Sequence, residues 1–256
     1  MSVMITLLAL VLAVDAGAII PAPVPVPAPV PVPPAALREA KAVVADYARA
    51  IGDEKNWQKH KTVRVKHEVT VKAMHFTSNE ETRMARGGKV FSSSEMPGMG
   101  TFQRGSDGHK AWSKDPIGGL RLLKDGEAED VRIAATWNSE WHLGVVYAKA
   151  FSVVPPVAPP AGETWECVEL HKVKGAPTTI CFDSTSHLRV LEKGVQASQG
   201  GQVPYVTRFS DWRPVEGVLV WHHEDVTVGP VTMVSRIIEV VFDEPIPATL
   251  FRLPKK

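Results

Sequence analysis

Charge of one sign is what this sequence most plainly lacks: 29 Lys and Arg stand against 28 Asp and Glu, a formal net charge of +1. With no basic field to attract a phosphate backbone, nucleic acid is not an expected partner. Cysteine is nearly absent, with two in 256 residues, which excludes a dense disulfide framework or a Cys-rich metal scaffold. The apolar stretch from Val3 to Val14 is too short to cross a bilayer as a helix. Catalytic signatures are missing as well. Nothing like Gly-x-Ser-x-Gly surrounds Ser92-Ser93-Ser94-Glu95, which reads as solvated strand. Gly98, Gly100, Gly105 and Gly108 lack the spacing and following helix of a phosphate loop. His222, His223, Glu224 and Asp225 form the densest group of potential ligands, but adjacent strand residues point to opposite faces, so the two histidines do not readily share a metal. The expectation is a protein with no catalytic residue, no metal and no cofactor.

What is present begins with an address. The apolar run ends at Ala16-Gly17-Ala18, the small-residue pattern that a signal peptidase cleaves, so residues 1–18 read as a signal peptide. The start carries no positive charge and Asp15 precedes the cleavage site, which leaves an uncleaved inner-membrane tether open as the alternative. No cysteine lies nearby to carry a lipid. A periplasmic or secreted monomer is expected. In residues 19–34 Pro alternates with Ala and Val, an extended spacer with no core of its own. One β domain is expected over residues 35–256.

Within that domain, residues 35–51 place Leu37, Ala40, Val44, Tyr47, Ala48 and Ile51 on one helical face, ended by Gly52. Val63, Val65, His67, Val69 and Val71 then alternate with charged and polar residues, the pattern of a half-buried strand. A turn near Asn79 precedes strands around Met84 and Phe91, a break at Pro97-Gly98, a strand from Gly100 to Arg104 and a hairpin turn at Ser106-Asp107-Gly108 into residues 110–114. Residues 125–141 carry a second helical pattern with acidic residues in its first turns. A Pro-rich loop, 155–162, follows, and then strands at 188–196, 203–213, 218–228 and 231–242.

The two cysteines can be placed by register. Strands 165–172 and 176–183, joined through Val173-Lys174-Gly175 with Gly at the left-handed position, set Cys167 opposite Cys181 as a non-hydrogen-bonded pair, about 4.5 Å between Cα atoms. That spacing suits a disulfide, and Pro177 costs no ladder bond. Two reduced buried cysteines are the alternative; no partner that would activate a catalytic thiol is identifiable.

About ten strands must curl or split, and two amphipathic helices with one apolar sheet face suggest a mainly β, α+β architecture: a curved antiparallel sheet with helices on its concave side. Met84, Phe91, Met96, Met99, Phe102, Trp112, Trp137 and Trp141 concentrate in the half that holds the second helix, and such adaptable side chains can line an apolar lipid pocket.

Several segments also bear a family resemblance. They are residues 47–51, Gly105-Ser-Asp-Gly-His-Lys-Ala-Trp112-Ser-Lys-Asp-Pro116, Gly119-Leu-Arg-Leu-Leu123 before an acidic helix, Ser210-Asp-Trp-Arg-Pro-Val-Glu-Gly217-Val, and Ile246-Pro-Ala-Thr-Leu-Phe251-Arg-Leu-Pro254. In this order they resemble the outer-membrane lipoprotein-sorting-like family, the LolA/LolB-like periplasmic lipoprotein carriers. Two features depart from it: Trp221 where members often have Pro before His222, and the polyproline spacer. The resemblance implies an unclosed β-barrel lidded by helices, whose apolar cavity takes lipid or an acylated lipoprotein without catalysis or cofactor. The alternative is a cell-envelope interaction module with a filled core and no ligand.

Overall fold

The computed structural model describes residues 37–173, 175–198 and 201–254. The expected signal peptide and spacer lie outside the described residues. The chain runs α1 (Ala40–Ala50), α2 (Asp53–Lys59), β1 (Thr62–Val71), β2 (Phe76–Ala85), β3 (Lys89–Met96), β4 (Gly100–Asp107), β5 (Ala111–Asp115), β6 (Gly119–Leu122) and α3 (Asp125–Ala135). It continues with β7 (Tyr147–Val153), β8 (Trp165–Lys172), β9 (Thr178–Asp183), β10 (Arg189–Ser198), β11 (Gly201–Val215), β12 (Val218–Val228) and β13 (Val231–Phe242), and a 3₁₀ turn at Ala248–Phe251. All thirteen strands form one sheet in the order β6-β5-β4-β3-β2-β1-β13-β12-β11-β10-β9-β8-β7. Two antiparallel meanders are thus joined where β1 pairs with β13. The sheet curls without closing. Its edges, β6 and β7, follow each other in the chain and are bridged by α3 and a 3₁₀ turn at Ser139–Trp141.

The helix at 35–51 begins later than its pattern suggested, at Ala40, and buries Ala40, Val43, Val44 and Tyr47 while Leu37 is exposed. Gly52 ends it at φ +108, and a Cβ there would meet the Gly217 carbonyl at 2.8 Å, so only glycine allows α1 to turn into α2 against the β11–β12 turn. Alongside, the N–H of Leu219 donates to the Ile51 carbonyl at 3.0 Å, at a level where β12 no longer pairs with β13. The helices fill that gap. Trp57 of α2 completes the plug, edge-on to Trp137, Trp141 and Phe242 with centroids 6.0–6.4 Å apart.

The second helix is shorter than expected. It stops at Ala135, and Asn138 at φ +48 re-aims the chain into the turn carrying Glu140 and Trp141. Ion pairs fasten α3 to both arms of the sheet: Arg121 of β6 holds Glu127 in its first turn bidentately at 2.8 and 2.9 Å, and Lys172 of β8 holds Asp130 at its middle at 2.8 Å. No helix among the described residues is long and apolar enough to cross a membrane.

One expected reversal is overturned. Asn79 pairs with Glu68 and Glu95 in the middle of β2, and the chain turns instead at Lys72–Met74, with His75 at φ +50. The run Thr77-Ser78-Asn79-Glu80 imitates a loop because both faces of the strand are polar there.

The cysteine register stands. Cys167 faces Cys181 across β8 and β9 with Cα atoms 4.0 Å apart, and the two form a disulfide. Gly175 takes φ +104 in the connecting turn. The bridge lies with Trp165 and Leu191 on the outer face, where Val157 of the Pro-rich loop packs on it.

Candidate functional site

Register assigns every side chain of the curled sheet to a face. The inner row of β1 is Val63, Val65, His67, Val69 and Val71, and the residues opposite on β2 are Met84, Thr82, Glu80, Ser78 and Phe76. The row passes to Val90, Ser92, Ser94 and Met96 on β3, to Ser106, Arg104 and Phe102 on β4, and to Ala111 and Ser113 on β5. On the other side it meets Phe242, Ile237, Ser235 and Met233 of β13, then Glu224 and Val226 of β12. Both ends of this surface are apolar. Val63, Val65, Met84 and Val90 belong to the main core under the helices, while Val69, Val71, Val226 and Met233 form a second cluster.

Between them runs a polar belt. His67, Ser78, Glu80, Thr82, Ser92, Ser94, Ser113, Glu224 and Ser235 are all buried and all inward-facing. The belt is only partly satisfied internally. Ser235 Oγ lies 3.3 Å from His67 Nδ1, and the Thr82 hydroxyl donates to Glu80 Oε1 at 3.5 Å. Glu80 Oε2, Glu224 Oε2, His67 Nε2, Arg104 Nε and Ser113 Oγ are buried with no hydrogen-bond partner. Orphans this dense are unusual for a native interior, where buried polar atoms are nearly always paired.

Burial sets the charge state of the belt. It pushes His67 down to about 4 and Glu80 up to about 7, the latter despite the Thr82 hydrogen bond and the field of Arg104. Burial also drives Glu224 well above the usual carboxylate range, with the nearby carboxylates of Glu192 and Glu80 adding to the effect. Linkage then runs in two directions. For Glu80, raised from an ordinary 4.5, the stability of its neutral form is full below pH 4.5 and is lost as pH rises through 7; for His67, depressed from 6.5, stability is full above 6.5 and is lost as pH falls through 4. Glu80→Gln should therefore match the parent at pH 4 and exceed its stability by roughly 3 kcal/mol at pH 9, measured by denaturant unfolding at both pH values.

The expected lipid-contact residues divide between the two faces. Met84, Met96 and Phe102 are buried on the inner face, and Trp137 and Trp141 join the Trp57 plug. Met99 sits half-buried in the β3–β4 turn. Phe91 and Trp112 lie on the outer face, where Trp112 packs flat on Gly105, leaving no room for a Cβ, and its Nε1 donates to the Phe251 carbonyl at 3.2 Å. Ser92 and Ser94 depart from the solvated reading, since both are buried and point inward. His222 and His223 turn apart, one to the Val220 carbonyl at 2.9 Å and the other to Asp225 at 3.2 Å. No group of three or more His, Cys, Asp or Glu among the described residues could hold a metal ion.

Across the interior the packing is different. Arg189 is wholly buried, paired with Glu140 and, at 3.2 Å, with Glu192, whose other oxygen accepts from the Tyr205 hydroxyl at 2.7 Å. A bulge between Arg189 and Leu191 lets Arg189 and Glu192 both face inward. A cavity of about 20 Å³ beside them, lined by Ser139, Glu140, Tyr147, Glu192 and Tyr205, has room for one water and none for an acyl chain.

The fold has counterparts among solved structures. The LolA superfamily protein NE2245 from Nitrosomonas europaea superimposes with a TM-score of 0.53 at 10% identity, covering 84% of this chain and 98% of that one. The fold is LolA-like. A DUF1329 family protein from Desulfovibrio piger ATCC 29098 superimposes with a TM-score of 0.56 at 11% identity, covering 84% of this chain and 97% of its own. No protein-family model and no curated protein matches the sequence. At such identities the likeness is one of fold alone.

Proposed function

We propose that this protein is an exported, non-catalytic carrier that binds lipid or the acyl chains of a lipoprotein inside its half-barrel. The observation that carries the reading is the LolA-like architecture with an inner face of two apolar rows around an unsatisfied polar belt. Apolar rows suit acyl chains, and orphaned polar atoms suit a head group. Export is supported by the pattern at residues 1–18 and by the disulfide, which an oxidising compartment favours.

Native mass spectrometry and lipid extraction of the protein purified from the periplasm should show a co-purifying amphiphile, and the delipidated protein should bind a fluorescent fatty alcohol. An empty protein that also ignores the probe would sink the carrier reading. The tight packing around Arg189 favours a second reading, a ligand-free envelope module, and that same negative result would support it. N-terminal sequencing of the mature protein decides between release and tethering.

A further inference from the structure

We infer that the polar belt is the head-group site of this carrier and that it selects a cationic, amine-type head over a carboxylate or phosphate. The inference rests on the carrier reading and adds the chemistry of the head.

Each charged or titratable group that faces the belt has a defined situation. Glu192 and Glu140 are already committed to Arg189 of β10, and Tyr205 of β11 donates to Glu192. Among the described residues, Glu80 on β2 and Glu224 on β12 form no ion pair, and each keeps one oxygen buried and unpartnered, with the Trp221 indole favouring the Glu224 carboxylate against its burial. Among the described residues, the inner face of β1–β5 carries one arginine or lysine, Arg104, and its field is divided among Glu80 of the belt and Glu127 and Asp130 of α3. His67 sits directly opposite Glu80 in the register, with Nε2 unpartnered. Burial keeps this imidazole neutral, and in the tautomer whose Nδ1–H donates to the Ser235 hydroxyl, Nε2 is a hydrogen-bond acceptor.

This stretch of the inner face is acceptor-rich and cation-poor. Glu80 and Glu224 lie on opposite flanks of the β1–β13 junction, Glu80 beside His67 and Glu224 beside Ser235, so both look into the same stretch of interior. The field of Glu80 adds to the upward shift that burial gives Glu224. A ligand that brings an ammonium group supplies the missing counter-charge and up to three N–H donors, enough for two carboxyl oxygens and an imidazole nitrogen. A fatty acid or phosphate head would add negative charge beside two carboxyls and find only Arg104 as a donor of charge. The second apolar cluster, Val71 with Met233 and Val226, would hold the chain.

The test compares dodecylammonium, dodecanol and dodecanoate binding to the delipidated protein at pH 7 by calorimetry. Dodecylammonium should bind at least about tenfold more tightly than dodecanoate, with dodecanol between them. In the double variant Glu80→Gln with Glu224→Gln, the advantage of the amine over the alcohol should collapse, while circular dichroism and a cooperative urea transition report that the variant is folded. If dodecanoate binds as tightly as the amine, or if the advantage survives both substitutions, the head-group inference fails while the carrier reading stands. If none of the three binds, the carrier reading fails and takes the inference with it.

Discussion

Arg189→Met should destabilise the protein by about 3–5 kcal/mol and lower its melting temperature by roughly 10 °C, the largest single-residue effect expected in this fold. Arg189 has no exposed surface and serves two carboxylates at once. Burial pushes the Glu140 carboxyl upward, but the charge and the hydrogen bond of Arg189 act against it, and Glu140 is held below its ordinary value. Removing the guanidinium leaves Glu140 and Glu192 in the interior without a counter-charge, so each must be protonated or hydrated on folding. The cation also lies 5.2 Å from the Phe209 ring centroid and 5.5 Å from that of Tyr47, contacts that Met replaces only in part. Lysine should not rescue, because one ammonium cannot span both carboxylates with a planar fork. If desolvation is the cause, adding Glu140→Leu and Glu192→Gln to Arg189→Met should restore most of the stability. Equilibrium unfolding in urea of the parent, single and triple variants measures each quantity. A single variant within about 1 kcal/mol of the parent would contradict the account.

Replacing both cysteines by alanine should cost about 3 kcal/mol, because the bridge closes a chain segment with a sequence separation of 14 and removes that freedom from the unfolded ensemble. For a domain of this size the melting temperature should fall by roughly 6–12 °C. Cys167 and Cys181 are both buried, in a small cluster with Trp165 and Leu191 on the outer face. Reductant should therefore act slowly on the native protein and rapidly once it is unfolded, giving a melting curve in dithiothreitol that depends on scan rate. The inner face is not involved, so the folded alanine variant should bind amphiphiles as the parent does. A loss of binding in the folded variant would place the disulfide in the site instead.

The elements most legible in the sequence were those whose two faces differ in chemistry. β1 alternates Val with charged residues, α1 carries its apolar stripe at helical spacing, and the Cys167–Cys181 hairpin is fixed by a short turn and period-two counting. The strands β2 and β3 were harder to read. Ser78, Glu80 and Thr82, then Ser92 and Ser94, are buried but polar, so alternation of burial is not alternation of hydropathy. The one available signal was spacing: Ser-x-Glu-x-Thr-x-Met and Ser-x-Ser-x-Met each keep a period of two and end on a buried methionine. The short edge strands β6 and β7 carry little pattern, because their four and seven residues are nearly all exposed or half-buried.

By itself the sequence determined the antiparallel β character, the helices at the start and middle, the register of the cysteine pair and the absence of familiar catalytic motifs. Each of these follows from local periodicity or turn chemistry, which neighbours in the chain settle among themselves. The tertiary structure decided which residues share a face. The pairing of β1 with β13 joins His67 to Ser235 and brings Glu224 onto the same wall as Glu80, residues separated by most of the chain. It also parted Phe91 and Trp112 from Met84 and Phe102, since one step along a strand reverses the direction of a side chain. A polar site inside a curled sheet is assembled by long-range pairing, and local sequence carries no record of which distant strand will lie opposite.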